Sequence, residues 1–232
     1  MRVLAVENYG GTGLGQLGEA LREAKASIDY IRPHSTGALP DTVRNYDAMV
    51  VLGGGQNALD DSGSPHFPKL LDMIREFERD DKAVLGICLG SQLIARAFGG
   101  ENKIGGHNEF GWQDVSVTDA AAADPVFRVL PNSFPIFQWH DDSFTLPPQA
   151  TLLATGAKVA NQAYRVGRAV YATQFHFEAD RKLVAEWNET FADAVNKLDQ
   201  DWLAKYPGLA NEKGPQADAA GAALARAWIA AI

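Results

Sequence analysis

Residues Asp47–Leu52, DAMVVL, are apolar from Ala48 onward and stop at the triple glycine Gly53–Gly55. An extended run without polar alternation has no face to offer water, so it belongs in a sheet covered on both sides. The rest of the first hundred residues fits that demand. Arg2–Glu7, Ile28–Ile31 and Ala83–Ile87 read as further strands. Gly13–Ala26, Pro68–Arg79 and Ser91–Phe98 carry apolar residues at helical spacing, the last stopped by Gly99 and Gly100. Strand and helix in alternation imply an α/β fold with a doubly wound, mostly parallel sheet. Ligands of such sheets sit beyond the carboxyl ends of the strands.

The second half changes rhythm. Trp112–Thr118, Phe134–Trp139, Thr151–Thr155, Gln162–Val166 and Ala169–Phe175 read as shorter strands that add antiparallel members to the sheet. Ala179–Lys197 reads as one long helix and Gly221–Ile232 as an Ala-rich terminal one. Tyr206–Gln216, with two prolines and two glycines, reads as a loop between them. The whole of 1–232 is expected to be one domain, with 181–232 as a helical extension. A net charge of −8 argues against nucleic acid or anionic membrane as partners. The opening MRVLAVENYG reads as a strand rather than a signal peptide, so the cytoplasm is the expected compartment.

Cys88 is the single cysteine, so no intramolecular disulfide can form. It stands in Gly86-Ile87-Cys88-Leu89-Gly90, where a strand turns into a helix. Such a corner, flanked by glycines, can expose a strained nucleophile, and the following helix aims its positive end at the sulfur. A buried structural cysteine fits the same pentapeptide. A reactive thiolate needs a base. His34 and His66 lie in loops beside prolines and His107 in a glycine-bounded loop, which leaves His140 in QWHDDSF and His176 in QFHFE. His176 and Glu178 stand two apart at a strand end, and alternation turns both to one side. The carboxylate can then orient the imidazole while the other nitrogen serves a nucleophile. Alone, such a pair at a strand end is more often a solvated sheet edge.

Together, LGGGQN, GICLGSQ, NEFGW, QWHDDSF and QFHFE resemble the class I, triad-type glutamine amidotransferase domain, from the first strand to about Asp180. The glutaminase portions of GMP synthetases look closest, and stand-alone relatives of these hydrolyse γ-glutamyl bonds. The resemblance implies a flavodoxin-like sheet and a glutamine or γ-glutamyl substrate. It implies Cys88 as nucleophile, His176 as proton carrier and Glu178 as its orienter. The backbone N–H groups of Gly54 and Leu89 would hold the oxyanion, Gln92 would contact the amino-acid end of the substrate, and Glu109–Trp112 would border the pocket. His140, Asp141 and Asp142 either recognise the substrate amine or form a solvated turn.

Two departures loosen the pattern: Phe177 and Gly55 stand where the family usually has proline. No ATP-binding glycine-rich motif accompanies the site, and neither metal nor cofactor is expected. Three functions remain open: a self-sufficient hydrolase, a glutaminase subunit feeding ammonia to a separate synthetase, or a catalytically silent binding module. A rival family with an elbow cysteine on a doubly wound sheet typically lacks the late H-x-E pair.

Overall fold

A computed structural model describes residues 1–36 and 38–232. The first half builds strands β1 (Arg2–Val6), β2 (Ser27–Ile31), β3 (Ala48–Val51) and β4 (Ala83–Ile87). Helices α1 (Gly15–Glu23), α2 (Pro33–Thr36), α3 (Phe67–Arg79) and α4 (Leu89–Ala97) alternate with them. The second half adds β5 (Asn102–Lys103), β6 (Glu109–Val117), β7 (Ser133–His140), β8 (Ser143–Phe144), β9 (Thr151–Gly156), β10 (Ala163–Val166) and β11 (Val170–Thr173). It closes with α5 (Arg181–Thr190), α6 (Ala192–Leu198), α7 (Trp202–Glu212) and α8 (Gly214–Ala230).

Among the described residues, nine strands make one sheet in the order β2-β1-β3-β4-β11-β10-β9-β6-β7. The part from β2 to β11 is parallel, and β10, β9, β6 and β7 continue it antiparallel. Successive residues of each central strand face opposite sides. Val3, Val50, Leu85 and Ile87 meet Leu17, Leu21, Leu224 and Trp228 of α1 and α8. Leu4, Met49, Val51 and Val84 meet Phe67, Leu70, Ile74 and Leu93 of α3 and α4. Both faces are therefore covered, as the apolar run of β3 requires. The strand that arrives last, β11, slots beside β4 with Thr173 opposite Ile87. That rung brings the two strand ends nearest the site side by side.

The carboxyl-terminal region departs from the sequence reading. The helix expected over Ala179–Lys197 is two helices, broken at Phe191, where φ −117° and ψ 30° leave the helical region. Asp180 caps the first of them by accepting from the Leu183 N–H at 2.8 Å. Tyr206–Gln216 is not a loop: α7 runs through Pro207, and α8 begins at Gly214 rather than Gly221. Pro207 leaves the carbonyl of Leu203 without its helical donor, but both residues are exposed and water can serve that oxygen. Pro215 sits in the first turn of α8, where a missing N–H costs nothing. No helix among the described residues is long and apolar enough to cross a membrane.

Candidate active site

Cys88 joins β4 to α4 with φ +51° and ψ −109°, a positive-φ conformation held by a non-glycine residue. Such a backbone costs about 1–3 kcal/mol and persists only where its surroundings impose it. Here they do. A Cβ on Gly90 would lie 2.0 Å from the carbonyl oxygen of Val51, and one on Gly86 would lie 2.5 Å from that of Gly90. The Cys88 N–H donates to Thr173 O at 2.8 Å, and its carbonyl accepts from Ser91 N–H at 2.9 Å and Ser91 Oγ at 2.7 Å. With the corner pinned, the sulfur projects at the amino end of α4, where the helix dipole favours negative charge. Sγ also lies 3.6 Å from the Trp139 carbonyl oxygen.

His176 follows β11 and donates its backbone N–H to Phe137 O of β7 at 2.8 Å. Its Nδ1 lies 2.7 Å from Glu178 Oε1, and the ring meets Trp187 edge-on at 5.1 Å between centroids. Cys88 and His176 are each 5 % exposed and Glu178 1 %. Burial pushes the imidazole pKa down, but the charges of Glu178 and Cys88 and hydrogen bonds to both outweigh it and raise it to about 10. The carboxylate thus engages Nδ1, and the ring and the cysteine meet over Gly53, where a Cβ would lie 3.1 Å from His176 Cε1 and 3.4 Å from Cys88 Cβ.

Stiffness that a proline at 177 would give comes from elsewhere. Phe177 is fully buried, its carbonyl accepts from Gln16 Nε2 at 2.6 Å, and that of Glu178 accepts from Gln16 N–H at 3.0 Å. Gly221 of α8 presses on the same point: a Cβ there would lie 2.1 Å from Gln16 Nε2. At Gly55, the other departure, a Cβ would rest 3.5 Å from the Tyr9 ring, an ordinary contact.

Gly54 and Leu89 flank the sulfur. A Cβ on Gly54 would meet Leu89 Cδ2 at 2.9 Å, so the Leu89 side chain packs directly on the Gly54 backbone. Leu89 is the first residue of α4, and its N–H has no acceptor within the helix.

Two chambers open from Cys88, sharing Gly54, Gly55 and Trp139. One, of about 190 Å³, is walled by Tyr9, Trp139, Trp187, Phe191 and the His176 ring. The other, of about 390 Å³, is lined by Gln92, Asn108, His140, Asp141 and Asp142 among others. Gln92 is buried, its Nε2 3.2 Å from Gln174 Oε1 and 3.4 Å from Asp142 O. Asp142 Oδ1 accepts from Gly105 N–H at 2.7 Å and Asp141 Oδ1 from Gly106 N–H at 3.2 Å, so both carboxylates brace the facing loop as well as line the chamber. His140 has Nε2 3.1 Å from Glu109 Oε2 and Nδ1 3.0 Å from Asp142 O, which commits both ring nitrogens.

The expectation that Glu109–Trp112 borders the pocket is corrected: neighbouring Asn108 does so instead. Glu109 lies behind the wall, holding His140 and Gln162, and Trp112 is packed against Trp202 and Tyr206. Tyr9, Trp139, Trp187, Phe191 and Gln174 were not foreseen. Of these, Trp139 and Gln174 carried a signal, standing in QWHDDSF and QFHFE.

Against known proteins, the family model described as glutamine amidotransferase class-I matches residues 6–187. The putative glutamine amidotransferase-like protein YfeJ of Salmonella typhimurium is 30 % identical over 178 residues, 74 % of each chain. One subunit of the glutamine-hydrolyzing GMP synthase of Haloarcula marismortui is 30 % identical over 207 residues, 88 % of this chain and 98 % of that one. The crystal structure of a glutamine amidotransferase from Thermotoga maritima superimposes with a TM-score of 0.86 at 28 % identity, covering 98 % of both chains.

Proposed function

This chain belongs to the class I glutamine amidotransferase family, and from that premise we propose that it is a cysteine-nucleophile amidohydrolase acting on glutamine or a γ-glutamyl amide. The observation that carries the reading is the positive-φ Cys88 facing an imidazole whose far nitrogen is held by Glu178 at 2.7 Å. The Cys88 thiolate attacks the side-chain amide carbon. Negative charge gathers on the carbonyl oxygen, within reach of the Gly54 and Leu89 N–H groups. One donor of this kind is worth on the order of a hundred- to a thousandfold in rate. His176 passes its proton to the departing nitrogen, the C–N bond breaks, and a γ-glutamyl thioester remains. Water, giving a proton back to His176, then releases glutamate. Glu178 keeps the ring in the correct tautomer throughout. Gln92 borders the space for the amino-acid end of the substrate.

Residues 181–232 act within this same domain as a wall of the site, because Phe191 and Ala194 line the smaller chamber. That favours a self-contained hydrolase, housed in the reducing cytoplasm that suits one unpaired thiol. A second reading, a glutaminase subunit serving a separate synthetase, rests on the likeness to the Haloarcula GMP synthase component.

The test combines turnover with labelling. Purified protein is assayed with glutamine and γ-glutamyl amides, alone and with candidate synthetases, and treated with a diazo-ketone glutamine analogue. Wild type is expected to turn over and to take one adduct on Cys88, and Cys88→Ser to do neither. Turnover that survives Cys88→Ser refutes the reading.

A further inference from the structure

We propose that the site prefers γ-glutamyl amides of uncharged aromatic amines, with the ring of the departing amine seated among Tyr9, Trp139, Trp187 and Phe191. The inference rests on the Cys88–His176 reading above and extends it from the bond broken to the group released.

Three observations carry it. First, the two chambers differ in which catalytic group they share. Both reach Cys88, but His176 lines only the aromatic one. The residue that protonates the leaving nitrogen has to stand on the leaving side. The polar chamber, with Gln92, Asp141 and Asp142, is left for the charged glutamyl end.

Second, the aromatic chamber measures about 190 Å³. Ammonia, close in size to water, needs only about 30 Å³, whereas an apolar cavity of roughly 150 Å³ takes a benzene ring. Its rings form a continuous series: Tyr9 to Phe191 at 6.1 Å, Phe191 to Trp139 at 5.7 Å, Trp139 to Trp187 at 5.8 Å and Trp187 to His176 at 5.1 Å. The wall rings thus touch one another, and a ring entering the chamber would meet one continuous aromatic surface.

Third, among the described residues, no Lys, Arg, Asp or Glu lines this chamber. Beyond the catalytic pair itself, whose imidazole is already held by Glu178, a carboxylate on the amine, as in a γ-glutamyl amino acid, would find no cation and a second ammonium no anion.

The chemistry balances without a co-reactant. The Cys88 S–C bond forms as the C–N bond breaks, the His176 proton leaves on the amine, and water cleaves the thioester, so one amide and one water give glutamate and free amine.

The experiment compares kcat/KM for γ-glutamyl-phenethylamide, γ-glutamyl-ethylamide, γ-glutamyl-phenylalanine, a γ-glutamyl-4-aminobutylamide and glutamine, alongside diazo-ketone labelling. Phenethylamide and ethylamide share the same alkyl C–N bond, so their ratio reports the ring alone. Phenethylamide is expected to lead the panel by about ten- to a hundredfold, the value of burying one ring. Ala194→Trp, at an exposed helix position where the fold tolerates bulk, narrows the chamber and is expected to cut the phenethylamide-to-ethylamide ratio at least severalfold. If Cys88 is labelled but phenethylamide has no lead over ethylamide, glutamine or the charged amides, the inference is overturned and the hydrolase reading stands. If neither labelling nor turnover occurs, both fall together.

Discussion

Gly221 is far from the sulfur in sequence, yet a single methyl group there should slow the reaction. Its Cβ would sit 2.1 Å from Gln16 Nε2 and 2.3 Å from the Phe177 carbonyl oxygen, where ordinary contact begins at 3.4 Å. Either α8 or the His176–Glu178 segment must retreat by roughly 1 Å. Overpacking of this kind costs about 1–3 kcal/mol. Expelling the Gln16 amide would strand the buried Phe177 oxygen for about 1–3 kcal/mol more. Replacing a helical glycine returns about 1 kcal/mol. The net loss in Gly221→Ala is on the order of 2 kcal/mol, or about 4–8 °C in Tm for a chain of this length. A 1 Å displacement of catalytic groups costs on the order of a hundredfold in kcat. Thermal melts and kcat for a γ-glutamyl amide measure both effects. Adding Gln16→Ala removes one of the two clashing groups, so the double variant should lose less than the sum of the singles. A Gly221→Ala protein that loses Tm but keeps wild-type kcat would show that α8 does not position the segment, and the reasoning would fail.

Other perturbations probe the same centre. With φ at +51°, Cys88→Gly should be more stable than Cys88→Ala by about 1 kcal/mol in urea melts, both being inactive; equal stability would mean the corner is unstrained. Glu178→Gln should lower kcat by about 10⁴-fold with the fold retained, since an amide holds the wrong tautomer; a loss under tenfold would remove the carboxylate from the mechanism. The His176 pKa is raised from 6.5 to about 10, so its stabilising contribution is complete below pH 6.5 and is lost as pH rises through 10. The slope is at most about 1.4 kcal/mol per pH unit. Wild type should therefore lose its stability advantage over His176→Asn between pH 6.5 and 10, and a gap independent of pH across melts in that window would contradict the assignment.

What could be read from the sequence was what repeats locally. The uninterrupted apolar run of Ala48–Leu52 announced a doubly covered sheet, and the glycines around Cys88 announced a corner too tight for a Cβ. Cys88, His176 and Glu178 stood out because each carries a local pattern. The misses are long-range. Glu109 meets His140 only because β6 and β7 pair in that register, and nothing near Glu109 says so. Pro207 and Pro215 read as breaks, although one lies on an exposed helix face and the other in a first turn. The aromatic walls gather a residue after β1, one at the end of β7 and two from α5 and its break, an assembly no single window contains.

The proposed nucleophile and base follow neighbouring strands, β4 and β11, that the chain makes at widely separated times. A ribosome adds roughly 5–20 residues per second, so seconds pass between the birth of the sulfur and that of its imidazole. Until β11 slides in beside β4, the emerging thiol has no imidazole next to it and the corner has no Thr173 carbonyl to pin it. On the proposed mechanism, activity therefore waits for the completion of the sheet, and a half-made chain carries its cysteine without an imidazole beside it.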